Sequence, residues 1–79
     1  MAAATTELRT GIYRHFKGNL YEVIAVARHS ETREEVVVYR ALYGDFGLWV
    51  RPLAMFVERV VHEGQSVERF RYECPAEPG

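Results

Sequence analysis

At 79 residues the chain has room for one domain, and a content of 48% hydrophobic, 13% aromatic and 27% charged residues excludes a disordered segment. Ten basic against eleven acidic side chains give a net charge of −1. That balance counts against a dedicated nucleic-acid binder, whose non-specific affinity comes from neutralising phosphates, but allows a local basic patch. The single cysteine, Cys74, excludes an internal disulfide.

Residues 1–10 are expected to be a flexible or short helical N-terminus, with Thr6 capping one turn through Leu8 and Arg9 before Gly11 stops it. MAAATTELRTG has neither the basic nor the apolar region of a signal peptide. No apolar run approaches the length of a membrane span, so a cytoplasmic protein without membrane contact is expected.

Gly11 to Phe16 reads as a first strand and Lys17-Gly18-Asn19 as a turn. Leu20 to Arg28 is a second strand, apolar on both faces for most of its length. That pattern predicts a bent strand that switches faces, with Ala25 and Ala27 allowing close approach. His29 to Glu34 is a polar turn. Glu35 to about Leu42 then forms a third strand around the β-branched run Val36-Val37-Val38, and Leu48 to Arg51 returns as a fourth after Gly44-Asp45-Phe46-Gly47. Pro52 opens a short helical turn over Leu53 to Phe56. Fifth and sixth strands are expected over Val57 to His62 and Val67 to Tyr72, joined at Glu63-Gly64, and residues 73–79 form a flexible tail.

Short strands, close turns and no long helix predict an all-β domain over residues 11–72, a small five- to six-stranded SH3-like or Sm-like barrel that hides its edges by curling.

The chain resembles a bacterial family of small domains of unknown function. The resemblance rests on Gly11, Tyr13, Arg14, His15, Phe16, Lys17, Gly18, Tyr21 and Val23, then on Ala27-Arg28-His29-Ser30-Glu31-Thr32. It continues through Val37-Val38-Tyr39, Leu42-Tyr43-Gly44, Trp49-Val50-Arg51-Pro52, Met55-Phe56 and Arg69-Phe70. The family pattern has Pro before the closing Arg-Phe, where this chain has Glu68. The resemblance implies a small Sm-like or SH3-like barrel and no activity.

The residues that carry chemistry point the same way. His15, His29, His62 and Cys74 lack zinc-ligand spacing, so no metal site is expected. Ser30 lies between His29 and Glu31, but neighbours on a turn point apart and do not converge as a triad must. The Gly44–Gly47 loop is too short for a phosphate loop and lacks its lysine. No cofactor is expected, and no enzyme; a hydrolase or deaminase would need His15 or His29 brought to Glu22 or Glu31.

What remains is an aromatic and basic group: Tyr13, Arg14, His15, Lys17, Tyr39, Trp49 and Arg51, with Tyr21, Arg40 and Tyr43 nearby in sequence. Small barrels bind peptides or single-stranded nucleic acid through rings flanked by cations. These seven residues are the candidate binding site, and a protein, a peptide or RNA the candidate partner. Tyr21, Tyr39 and Trp49 suit the interior better than a binding surface, since Val37, Tyr39, Ala41 and Tyr43 share one parity. A homo-oligomer joined at strand edges, Val36 to Tyr39 or Val57 to Val61, is the alternative.

Overall fold

The computed structural model describes residues 8–76. In chain order the elements are β1 (Gly11–His15), β2 (Leu20–Arg28), β3 (Glu35–Ala41), β4 (Leu48–Pro52), α1 (Leu53–Phe56), β5 (Arg59–His62), β6 (Gln65–Glu68) and β7 (Phe70–Cys74). Five strands form one antiparallel sheet in the order β4-β3-β2-β1-β7, and β5 and β6 form a separate hairpin. The first part of the turn expected at Thr6 lies outside the described residues; Leu8 to Thr10 are not helical.

The domain is mainly β with one short helix, as the residue pattern predicts. Three expectations are corrected. Among the described residues there are seven strands, not five or six, because the expected sixth strand breaks at Arg69. The Arg69 N–H donates to the Glu58 carbonyl at 3.1 Å and its carbonyl accepts from Phe16 N–H at 2.9 Å, so both backbone groups leave the ladder there. β7 also runs through Glu73 and Cys74, so these two residues belong to the sheet and not to a tail; Cys74 pairs with Ile12. The third concerns closure. Among the described residues no ladder joins β4 to β7, and the sheet is open.

The open sheet is nevertheless strongly curled. Tyr39 and Phe70 lie on strands three ladder steps apart, about 14 Å in a flat sheet, yet their ring centroids are 5.9 Å apart. Part of the bend comes from β2. Val23 pairs with Tyr39 but Ala25 with Val38, so Ile24 is the extra residue of a bulge. Inward parity passes from Tyr21 and Val23 to Val26, which faces the fully buried Val37. This switch explains why β2 is apolar on both faces.

The concave side is filled by Tyr13, Val23, Val37, Tyr39, Leu53, Phe56 and Phe70. Phe56 lies parallel to Phe70 at 4.0 Å between centroids, while Tyr13 meets Phe56 edge-on at 5.5 Å. α1 therefore serves as a plug: it is one turn long, but Leu53 and Phe56 close the open end of the core. Gly11 permits the close approach of β1 to β7. At its φ of +135° a Cβ would stand 2.8 Å from the Cys74 carbonyl oxygen. In the β5–β6 hairpin, positive φ at both Glu63 and Gly64 matches the turn that suits the right-handed twist of a two-residue hairpin.

Candidate functional site

The break at Arg69 has a consequence for the surface. It detaches the β5–β6 hairpin from the sheet, and the hairpin stands beside the end of β1 and the start of β7. A cleft of about 390 Å³ opens between them. Arg14, His15, Arg59, His62 and Arg71 line it together with Phe16; Glu68 is the one carboxylate in its wall.

Two of the three arginines are held in place by hydrogen bonds. Arg14 donates from Nε to Glu73 Oε2 at 2.9 Å and from Nη1 to the Gly18 carbonyl at 3.0 Å. Arg59 donates from Nε to Ser66 Oγ and from Nη2 to the Ser66 carbonyl, both at 2.9 Å. Arg71 is 69% exposed and has Glu73 Oε2 at 3.8 Å, so its guanidinium is largely available. Glu73 thus sits between two arginines, an arrangement that shows how a carboxylate fits there.

The rings are packed. Phe16 has His15 at 4.5 Å, His62 edge-on at 5.2 Å and the Lys17 ammonium at 5.8 Å from its centroid. His15 Nδ1 accepts the Lys17 backbone N–H at 3.1 Å. Burial pushes the His15 pKa below its ordinary value, and the charges of Arg69, Arg51 and Lys17 push it further the same way. Of these cations Arg69 has Glu58 at 3.5 Å, and on the hairpin His62 Nε2 has Glu63 at 3.8 Å.

The seven residues expected to bind are divided by the fold. Arg14 and His15 line the cleft; Lys17 does not, and its ammonium stands 5.8 Å from the centroid of the Phe16 ring. Tyr13 and Tyr39 are core residues, each 5% exposed, and neither lines the cleft. The Tyr13 hydroxyl donates to the Arg9 carbonyl at 2.8 Å. Arg51 donates from Nε to the Tyr39 hydroxyl at 3.3 Å. Trp49 is exposed on β4 and does not line the cleft. Phe16, Arg59, His62 and Arg71 were missed, because only the tertiary placement of the hairpin brings them beside β1. A local signal existed for Arg71 alone, as the cation alternating with Phe70 and Tyr72.

Two other groupings are local. Tyr21 and Tyr43 share a hydrogen bond between hydroxyls at 2.7 Å; burial, then that bond, pushes the Tyr21 pKa up to about 12. His29 Nδ1 accepts the backbone N–H groups of Glu31 at 3.1 Å and Thr32 at 3.3 Å, and Thr32 Oγ1 accepts that of Glu34. His29 is therefore occupied in shaping its turn. Among the described residues no three His, Cys, Asp or Glu side chains gather as metal ligands, and no helix is long and apolar enough to cross a membrane.

A family model described as a protein of unknown function, DUF1653, matches residues 11–72. The chain is also similar to a protein of that family from Bordetella bronchiseptica, known from its crystal structure. The two are 37% identical, with a TM-score of 0.82, over 92% of this chain and 96% of the other. No curated protein matches the chain.

Proposed function

The chain belongs to the DUF1653 family of proteins of unknown function, and we propose that it is a non-enzymatic binding module of the cytoplasm that takes an acidic protein segment in the cleft beside β1. The observation that carries this reading is the cleft's composition: three arginines, Arg14, Arg59 and Arg71, against one lining carboxylate, Glu68. Guanidinium groups bind carboxylates through short, charge-assisted and often paired hydrogen bonds. Glu73, between Arg14 and Arg71, provides an internal precedent for that geometry.

An acidic peptide suits the cleft better than single-stranded RNA. Binding of unpaired bases relies on open aromatic faces, and the Phe16 ring is already covered by His15, His62 and Lys17. The exposed ring of Trp49 belongs to another element. The curled sheet is an SH3-like or Sm-like barrel left open between β4 and β7, with the hairpin forming one wall of the binding site.

The test is charge reversal at the two arginines that do not hold the sheet together. A variant with Arg59→Glu and Arg71→Glu should bind an oligoglutamate peptide at least about tenfold more weakly than the parent, by calorimetry at low salt. Equal affinity in the two proteins contradicts the assignment.

A further inference from the structure

Outside the cleft, the outer edge of β4 is the feature that still lacks a role. Among the described residues no strand pairs with it. Leu48, Trp49 and Val50 are 55%, 59% and 64% exposed, three consecutive large apolar side chains on an open edge. Folded proteins generally blunt such edges with charges, proline or a covering loop.

The β3–β4 register fixes which backbone groups this edge presents. Ala41 N–H donates to the Gly47 carbonyl at 3.0 Å. In the same register Tyr39–Trp49 and Val37–Arg51 are the hydrogen-bonded pairs, so Leu48, Val50 and Pro52 turn their backbone groups outward. Leu48 and Val50 each offer a donor and an acceptor; Pro52 offers an acceptor alone.

We propose that this edge pairs antiparallel with the same edge of a second copy, about a two-fold axis at Trp49. In that register Leu48 faces the partner's Val50 and Val50 faces the partner's Leu48, and every outward donor and acceptor of these residues is satisfied. Centring the axis on Val50 instead would set the Leu48 carbonyl against the partner's Pro52, which has no N–H to give. Charge favours the same choice. The axis at Trp49 brings the Arg51 end of one strand beside the Gly44–Gly47 turn of the other, where Asp45 lies. Among the described residues neither Arg51 nor Asp45 forms an ion pair within its own chain. The pairing places the partner's Asp45 toward the Arg51 end of each strand, twice over, while Arg51 Nε stays on the Tyr39 hydroxyl, and it joins the exposed Leu48 and Val50 of the two copies into one apolar strip.

The contact is small. One five-residue strand falls short of the roughly 800 Å² per partner of a standard interface, so the dimer exchanges readily with monomer. Sedimentation equilibrium in the presence of a thiol reductant, which keeps Cys74 from cross-linking, should show the mean mass rising from monomer toward dimer. The relevant concentrations run from about 10 µM to about 1 mM, where interfaces below standard size dissociate. Val50→Pro removes one outward donor and no bond to β3, and should hold the chain monomeric throughout. Asp45→Lys, in the loop, should weaken self-association several-fold with β4 untouched. A parent protein that stays monomeric, a Val50→Pro protein that still dimerises, or an Asp45→Lys protein that associates as well as the parent overturns the proposal.

Discussion

The guanidinium carbon of Arg51, on β4, lies 5.7 Å from the ring centroid of Phe70, on β7. These strands are the two ends of the five-strand ladder, about 19 Å apart if the sheet were flat. Curling thus brings the free edges to a shared aromatic floor without joining them by hydrogen bonds. Phe70 in turn stacks on Phe56 and meets Tyr39 and His15. The core, the cleft and the open edge all depend on this one convergence.

Phe56 should be the most costly ring to remove. It is fully buried and plugs the open end of the sheet. Phe56→Ala is expected to cost about 3–5 kcal/mol, measured by urea unfolding, which approaches the whole stability of many small domains. Trp49→Ala, on the exposed edge, should change stability by no more than about 0.5 kcal/mol in dilute solution.

At Gly11 the backbone conformation and the close contact with Cys74 act together. Gly11→Ala should destabilise the fold by about 1–3 kcal/mol. Amide hydrogen exchange should show the first loss of protection in the β1–β7 ladder, ahead of β2 and β3.

His15 makes stability depend on pH. Its pKa is lowered in the folded state by burial and by the nearby cations, so unfolding takes up protons as pH falls below the ordinary histidine value near about 6.5. The contribution is complete above that value and is lost on acidification toward the lowered folded pKa. His15→Asn should flatten this part of the stability profile, as read by urea midpoints at a series of pH values.

Tyr21 supplies the opposite sign at the alkaline end. Its folded pKa is raised to about 12, so its stabilising contribution is present below the ordinary tyrosine value near about 10 and is lost as pH rises through the folded value. Tyr43→Phe removes the hydroxyl partner and should lower the Tyr21 pKa, followed by the ring ¹³C shift of Tyr21.

Much of the fold is legible along the chain because it is written in local chemistry. The Val36–Tyr39 run, the Gly44–Gly47 turn, Pro52 before Leu53 and the two-faced β2 each have one economical solution, and the structure adopts it. The alternation of Arg69, Phe70, Arg71 and Tyr72 suggested a continuous strand. The interruption at Arg69 depends on hydrogen bonds to Glu58 and Phe16, distant in sequence or on another element, which no local pattern announces. The same limit applies to the site. Arg14 and His15 were legible as an exposed cation and its neighbour on a strand, but Arg59, His62 and Arg71 join them only once the hairpin is detached. Tyr13 and Tyr39 look alike as ligands or as core; curling decides for the core. Of the strand edges expected from sequence, Val36 to Tyr39 proves to be central, between β2 and β4; Val57 to Val61 overlaps β5, which among the described residues pairs only with β6 and keeps an open edge, as do β4 and β7.

The claim that the β1 cleft takes an acidic protein segment is tested most directly by amide NMR. The ¹⁵N-labelled protein would be titrated at low salt, separately, with an oligoglutamate peptide and with single-stranded oligouridine RNA. The account predicts saturable shifts at Arg14, His15, His62 and Arg71 with the peptide, fading as salt is added. Shifts with RNA alone, or a spectrum that neither ligand changes, would contradict it.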